Sequence, residues 1–308
     1  MKIAFINKYQ NKVARGAETF VSELSKRLSI NHEVDILTSV KLKKRYDVVI
    51  PTNGRLQAFI VRLITWISGS KMIISGQSGA GLDDRLNLYS FPDAFIALSE
   101  YQKDWAKRIN PFVRVIRIPN GVDLSRFKNY DLRFKNKNKT VLSVGAFTKD
   151  KRHDLTIKAV AKLKDVKLII VGGGGELRNK IYDLGIKNLE KNRFEIQSVP
   201  HEKMPEIYKK ASVLAFPSVF WESFGIVIVE AMASGLPVVA TNDPIRKEIV
   251  GEAGILVDPE NTKDFSLSLR RALNTNWKDK PRKQAEKFNW DKIAKEYEKL
   301  IKNIFKKE

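Results

Sequence analysis

Short apolar, β-rich runs alternate with stretches of helical periodicity along this 308-residue chain, and that alternation restricts the fold more than any other feature. The first set of runs is KIAFIN (2–7), VDILT (34–38), DVVI (47–50), MIIS (72–75), AFIAL (94–98) and VRVIRI (113–118). The second is TVLSVG (140–145), KLIIVG (167–172), RFEIQ (193–197), SVLAF (212–216), PVVAT (237–241) and ILVD (255–258). Between the first two runs, Phe20, Val21, Leu24 and Leu28 recur at helical spacing, and LTIKAVAKL (155–163) is an amphipathic helix in the second set. Strand–helix alternation with short loops predicts parallel, doubly wound α/β sheets. Two sets predict two Rossmann-like domains, 1–125 and 126–288, which suits the length, with the basic, polar stretch 126–139 as linker. The closing FNWDKIAKEYEKLIKNIF reads as an amphipathic helix capped by Asn289 or Asp291, a brace that crosses back to the first domain. Ligands of open α/β sheets sit at the carboxyl ends of the strands, so a cleft between the two domains is the expected site.

Composition narrows the chemistry. There is no cysteine, which excludes disulfides and thiolate metal sites, and the three histidines, His32, His153 and His201, are scattered. The first residues read as a strand, not a signal peptide, and no apolar stretch is long enough to span a bilayer. A cytoplasmic location follows as the expectation. The net charge is +21, divided as +8 over residues 1–125 and +13 over the rest. Nucleic acid, an anionic membrane, phosphorylated small molecules or simply solvated lysine faces would each account for it. The basic clusters 41–45 and 126–139 read as loops, and no aromatic-interleaved basic patch points to nucleic acid.

The stretch PSVFWESFGIVIVEAMASGLPVV (217–239) sets Glu222 and Glu230 into an apolar, small-residue run. Ser223 reads as an N-cap and Gly235 as a stop, giving a helix from about Phe224 to Ala233. A helix N-terminus at the end of a parallel strand is an anion site. Carboxylates repel phosphate, so the two glutamates suit hydroxyl groups on either side of it. Eight residues at helical rise span roughly 12 Å, a length that fits a nucleotide-sugar. Elsewhere, TVLSVGAFTKDKRHD places Gly145 at a strand end and Lys151 and Arg152 before a helix, where a lysine meets a diphosphate and stabilises leaving-group charge. VGGGGEL (171–177) lets the backbone, Gly173 included, approach a phosphate or base closely. Gly16, in Arg15-Gly16-Ala17-Glu18, allows close approach at another helix start. No D-x-D pair is present to hold a metal on a diphosphate, so the expected chemistry is metal-independent and needs no cofactor beyond the co-substrate.

With these residues together, the chain resembles the retaining glycosyltransferases of family 4, glycosyl transferases group 1, with the GT-B fold: two Rossmann-like, doubly wound parallel-sheet domains facing a cleft. The motifs that carry the resemblance are RGAE, PNGVD followed by Phe127, VGAFTKDK, VGGGGEL, VPHEKMPEIYKKASVLAFPS, the E-x7-E pair, GLPVVAT and the closing FNWDKIAKEYEKL. It implies that Lys151 contacts the diphosphate, that Glu222 holds donor-sugar hydroxyls helped by the backbone of Phe224 and Gly225, and that Glu230 holds the ribose. It places Gly16 in the cleft near the phosphates and the backbone around Val199 near the nucleobase. Three positions depart from the family's pattern. Ala146 stands where arginine is usual, so one phosphate cation is missing and Arg152 is the candidate substitute. Arg15 replaces a glycine and is itself a candidate for phosphate. The loop ISGQSGAG puts Gln77 or Ser78 on the acceptor side, where many relatives carry a histidine; a front-face mechanism, in which the leaving phosphate takes the acceptor's proton, needs no protein base.

The implied partners are a nucleotide-sugar donor and a glycan or lipid-linked acceptor, in polysaccharide assembly. GRLQAFIVRLITWISGSK (54–71) either packs on the first sheet or lies in an anionic membrane interface, which would put the protein at the inner face of the membrane. Two alternatives remain open at this level. One is another GT-B enzyme, a nucleotide-sugar epimerase or a phosphorylase. The other is a degenerate basic protein that binds nucleic acid or an anionic surface.

Overall fold

A computed structural model of the protein describes residues 1–10, 16–42, 44–127 and 139–306; Arg15, Lys43 and most of the basic stretch 126–139 lie outside them. The chain forms two compact units, Met1–Gly121 with Phe288–Glu308, and Val122–Lys287. The break thus falls at Gly121–Val122, slightly ahead of the boundary expected at 125/126.

All six strands of the first unit are parallel: β1 (Lys2–Ile6), β2 (Glu33–Leu37), β3 (Val48–Pro51), β4 (Lys71–Ser75), β5 (Ala94–Ala97) and β6 (Val115–Arg117), in the order β2-β1-β3-β4-β5-β6. Right-handed crossovers put helices on opposite faces as the order reverses at β1/β3. One face is covered by α1 (Gly16–Leu28), whose Phe20, Val21, Leu24 and Leu28 are fully buried. The other is covered by α2 (Leu56–Ser68), α3 (Leu82–Tyr89) and α4 (Glu100–Ile109) through Ala58, Val61, Leu88 and Ala106.

The second unit repeats the plan with β7 (Lys139–Val144), β8 (Val166–Val171), β9 (Phe194–Gln197), β10 (Val213–Phe216), β11 (Val238–Thr241) and β12 (Gly254–Val257), ordered β12-β11-β10-β7-β8-β9 and all parallel. Its crossovers include α5 (His153–Ala161), α6 (Arg178–Asn188), α7 (Met204–Lys210), α8 (Ile226–Ala233) and α9 (Pro244–Val250); α10 (Thr262–Asn274) follows β12, and α11 (Lys280–Ala285) packs against α8. The order reverses between β7 and β10, so their carboxyl ends open onto a crevice not bridged by a crossover.

The terminal helix α12 (Trp290–Phe305) returns to the first unit. Asn289 caps it, its side chain accepting from the Asp291 N–H at 2.7 Å. Trp290, Ile293, Tyr297, Leu300 and Ile301 recur at helical spacing and enter the core formed by α1 and the sheet. The Trp290 ring lies so close to Gly121 that a Cβ there would come within 2.7 Å of it. Trp290→Ala is therefore expected to cost the first unit about 3–5 kcal/mol, seen as a lowered urea midpoint; a shift below about 1 kcal/mol would show that the helix is not part of that core.

Candidate functional site

The crevice at β7/β10 is built from two loops. On one side, β7 ends at Val144, and Gly145 begins a turn into a single 3-10 turn, Lys149–Lys151. Glycine is required at 145 because a Cβ would stand 2.9 Å from Lys151 Cγ. His153, the first residue of α5, holds the turn from beneath. Its Nδ1 lies 2.9 Å from Ser143 Oγ and its Nε2 lies 3.2 Å from the Gly145 carbonyl. The carbonyl only accepts, so the partners assign the proton to Nε2. Burial pushes its pKa down to about 4, so the ring is neutral at pH 7.

On the other side, β10 runs into Pro217, Ser218 and the loop 219–225 before α8. Here Lys151 Nζ donates to Glu222 Oε2, and Ser218 Oγ lies 2.9 Å from the same oxygen. The Thr241 hydroxyl donates to the Ser218 carbonyl at 2.7 Å, and the Val219 N–H to the Asp150 carbonyl at 3.1 Å, which ties the two loops together. Burial alone would raise the Glu222 carboxyl. Lys151, Ser218 and Arg246 together hold it below the ordinary carboxylate value.

Arg246 fixes the shape of this loop. It is fully buried on α9, yet each guanidinium nitrogen donates to oxygen: Nε to Asp243 Oδ2 at 2.7 Å, one terminal nitrogen to the Glu222 carbonyl at 2.6 Å, and the other to the Val219 and Phe220 carbonyls at 2.9 and 3.0 Å. Asp243 is held in turn, since its second oxygen caps α9 by accepting the Arg246 N–H at 2.9 Å.

The helix after the loop starts later than its sequence suggests. Its first residue is Ile226, not Phe224, and its N-cap is Gly225, not Ser223. Gly225 adopts φ 84°, and a Cβ would meet the Phe216 ring at 2.9 Å, so only glycine turns the chain there. Glu222 lies outside the helix, and the 12 Å span expected from helical rise does not apply to the pair. The stop is as expected: Gly235 follows the helix at φ 82° and donates to the Met232 carbonyl.

Glu230 sits inside α8, 3% exposed. His201 Nε2 lies 2.7 Å from one of its oxygens and the Tyr208 hydroxyl donates to the other at 2.8 Å. Behind His201, Arg126 donates to Nδ1 at 3.2 Å and also to the His201 carbonyl, which leaves the Nε2 proton for Glu230. Burial, with Glu230 beside it, pushes the Tyr208 hydroxyl well above its usual pKa, so it stays a donor.

The fold has parallels among known proteins. Residues 126–303 match the family model described as glycosyl transferases group 1. This chain belongs to that family. It is 33% identical over 193 residues to the Campylobacter jejuni enzyme N-acetylgalactosamine-N,N'-diacetylbacillosaminyl-diphospho-undecaprenol 4-alpha-N-acetylgalactosaminyltransferase, covering 59% of this chain and 52% of that one. It is 28% identical over 205 residues to the phosphatidyl-myo-inositol mannosyltransferase of Mycolicibacterium smegmatis, covering 61% and 52%. The chain thus spans about half the length of these curated relatives. Among solved structures, sucrose-phosphate synthase of Thermosynechococcus elongatus superposes with a TM-score of 0.86 at 20% identity over 100% of both chains. Anabaena HepE in complex with UDP-glucose gives 0.83 at 18% identity over 98% of this chain and 100% of that one. These likenesses establish the GT-B fold.

Within this group 1 chain the expected site residues fall into separate places. Lys151 and Glu222 meet directly, and the backbones of Phe224 and Gly225 follow Glu222 into α8. Gly173, exposed at the end of β8, and Val199, just past β9, belong to neighbouring strand ends of the same sheet. Arg152 does not join the Lys151–Glu222 pair; its backbone is left-handed and its guanidinium pairs with Glu260. In the first unit, Gly16 opens α1. Gln77 and Asn120 exchange amide hydrogen bonds at 3.0 and 2.9 Å, and Ser78 is exposed beside them. His201, Tyr208, Ser218 and Arg246 were not singled out by sequence. The Asp-Pro-Ile-Arg start of α9 carries a capping signal but nothing that tells of three carbonyls from another loop.

Two measurements probe the supports. Arg246→Met leaves Asp243 buried and three carbonyls unpaired, and is expected to cost about 3–5 kcal/mol in chemical denaturation; an unchanged midpoint would refute the clamp. For His153, the unfolded ring takes up a proton below pH about 6.5 while the folded ring waits until about 4. Stability is therefore full above pH 6.5 and falls by roughly 3 kcal/mol as pH drops from 6.5 to 4. His153→Gln is expected to flatten that slope in pH-dependent melting, and an equal slope in both proteins would argue against a neutral buried ring.

Proposed function

We propose that this chain transfers a sugar from a nucleotide-sugar donor to a glycan or lipid-linked acceptor, with retention at the anomeric carbon and without a metal ion, from a cytoplasmic position. The observation that carries the reading is the Lys151–Glu222 pair at the β7/β10 switch point of a group 1 chain. A cation and a carboxylate side by side suit a ligand with phosphates next to hydroxyl groups. HepE, of the same fold, is held with UDP-glucose, and the two bacterial relatives are named for lipid-linked acceptors.

In the proposed reaction the diphosphate displaces the Glu222 contact and takes the Lys151 ammonium, which then meets the negative charge that grows as the anomeric C–O bond breaks. The freed Glu222 carboxylate, still near Ser218, accepts from sugar hydroxyls, with the N–H groups of Phe224 and Gly225 beside it. Glu230 keeps lone pairs beyond those used by His201 and Tyr208, and these accept from the ribose. Gly145 and Gly173 let the backbone come close to phosphate, and the backbone around Val199 meets the base. The acceptor oxygen bonds the anomeric carbon on the face the diphosphate leaves, and its proton passes to the departing phosphate oxygen. Metal independence rests on Lys151 and on a sequence without D-x-D.

A thermal-shift screen with UDP-, GDP- and ADP-sugars identifies the donor as the one that raises the melting temperature. With that donor and an acceptor, release of nucleoside diphosphate is expected to fall about 10²–10³-fold in Lys151→Ala and in Glu222→Ala, and to be unaffected by a chelator. Full activity in either variant, or activity lost to the chelator, would overturn the assignment.

A further inference from the structure

The helix α2 buries only a narrow seam, Ala58, Val61 and Thr65, against the first sheet. Its outer face is unusual because every exposed residue on it is apolar: Leu56, Phe59, Ile60, Leu63, Trp66 and Ile67. Their spacing makes one stripe along the helix, about 20 Å long. The stripe is most open at its C-terminal end, where Leu63 is 58%, Trp66 63% and Ile67 80% exposed. On α3 and just beyond it, Leu82, Tyr89 and Phe91 are exposed as well. Monomeric proteins seldom leave so long an apolar face to water unless something covers it.

The charges around the stripe say what covers it. The helix carries no acidic residue. The nearby acids leave no net negative charge beside it: Asp83 is matched by Arg55 and Asp93 by Arg62, each at 2.6 Å, and Asp84 is buried. Arg85, on α3, is exposed. Arg62 also lies 4.8 Å over the Trp66 ring, a pairing of cation and indole suited to the level of lipid headgroups. A second copy is a poor occupant. A helix face about 20 Å long and 10 Å wide offers a few hundred Å², short of the ~800 Å² per partner of a stable interface. Two chains of +21 also repel each other. An anionic bilayer answers both the apolar stripe and the positive charge.

We infer that the outer face of α2 is a membrane-docking surface that lies in the interface of an anionic lipid bilayer, with Leu63, Trp66 and Ile67 entering the acyl boundary. Among the described residues no helix is long and apolar enough to cross a membrane, so the contact is peripheral. Vesicle binding needs neither donor nor acceptor, and so stands or falls apart from the transfer reaction. The full chain is mixed with vesicles of phosphatidylcholine containing about 30% phosphatidylglycerol, or of phosphatidylcholine alone, and sedimented. Partition onto the anionic vesicles is expected to be at least about tenfold stronger, and to weaken at least about tenfold when Leu63→Ser, Trp66→Ser and Ile67→Ser are combined. These side chains are exposed, so the melting temperature should hold; Trp66→Ala alone, expected to weaken binding several-fold, is the milder variant. Equal partition of variant and wild type, no binding to anionic vesicles, or a wild-type dimer in sedimentation velocity that the triple variant dissolves would each overturn the inference.

Discussion

A guanidinium buried with no access to water holds the loop that everything at the second-unit crevice depends on. Arg246 brings a full positive charge into the protein, and burying such a charge is strongly unfavourable unless it is completely bonded. Asp243 neutralises it, and three main-chain carbonyls from residues 219, 220 and 222 accept its other donors. Those carbonyls belong to a loop with no ladder of its own to satisfy them. The requirement runs both ways: the arginine needs the carbonyls, and the carbonyls need the arginine. A loop so pinned delivers Glu222 to Lys151 at a fixed place, and it ends where Gly225 makes the turn that starts α8. Placement of the carboxylate therefore comes from α9, a helix that presents no side chain to the ligand in the proposed reaction.

The two glutamates of the pair are prepared differently. Glu222 has one strong partner that a ligand can replace, the Lys151 ammonium, and its low pKa keeps it an acceptor. Glu230 has two partners, a phenol pushed well above its usual pKa and an imidazole whose far nitrogen accepts from Arg126. Both are side chains of the fold, whereas in the proposed reaction the Lys151 contact of Glu222 gives way to the ligand.

The alternation of runs made the strands legible, because the central parallel strands are covered on both faces and so read as compact apolar runs. Only their ends moved by a residue or two; the sixth shortened from 113–118 to Val115–Arg117. Asn289 was legible as a cap because the signal is local. Ser223 misled for the same reason. It has the right side chain, but Gly225, two residues on, has the backbone freedom the turn needs, and packing against Phe216 left no room for any other residue. Lys151 and Glu222 were each legible as polar groups at strand ends, but their ion pair was not, since they are read as meeting different parts of one ligand. Arg246 was least legible of all. A lone arginine reads as surface, and the carbonyls that bury it lie more than twenty positions away.

Two helices of similar composition show how far position outweighs content. IVIVEAMA in α8 lies between the sheet and the neighbouring helices α9 and α11, and six of its eight residues are buried. LQAFIVRLITWIS in α2 is nearly as apolar, yet nothing in its own unit lies over its outer side. Sequence periodicity separates them only in part: α8 is apolar nearly all round, whereas α2 gathers Gln57, Arg62, Thr65 and Ser68 away from its apolar stripe. What differs is the layer: α8 is flanked by further helices, whereas α2 forms the outermost layer of its unit on its side of the sheet. The stripe's apolar surface goes unburied in folding, and that exposure, with the +21 charge of the chain, is what the inferred docking to an anionic bilayer would use.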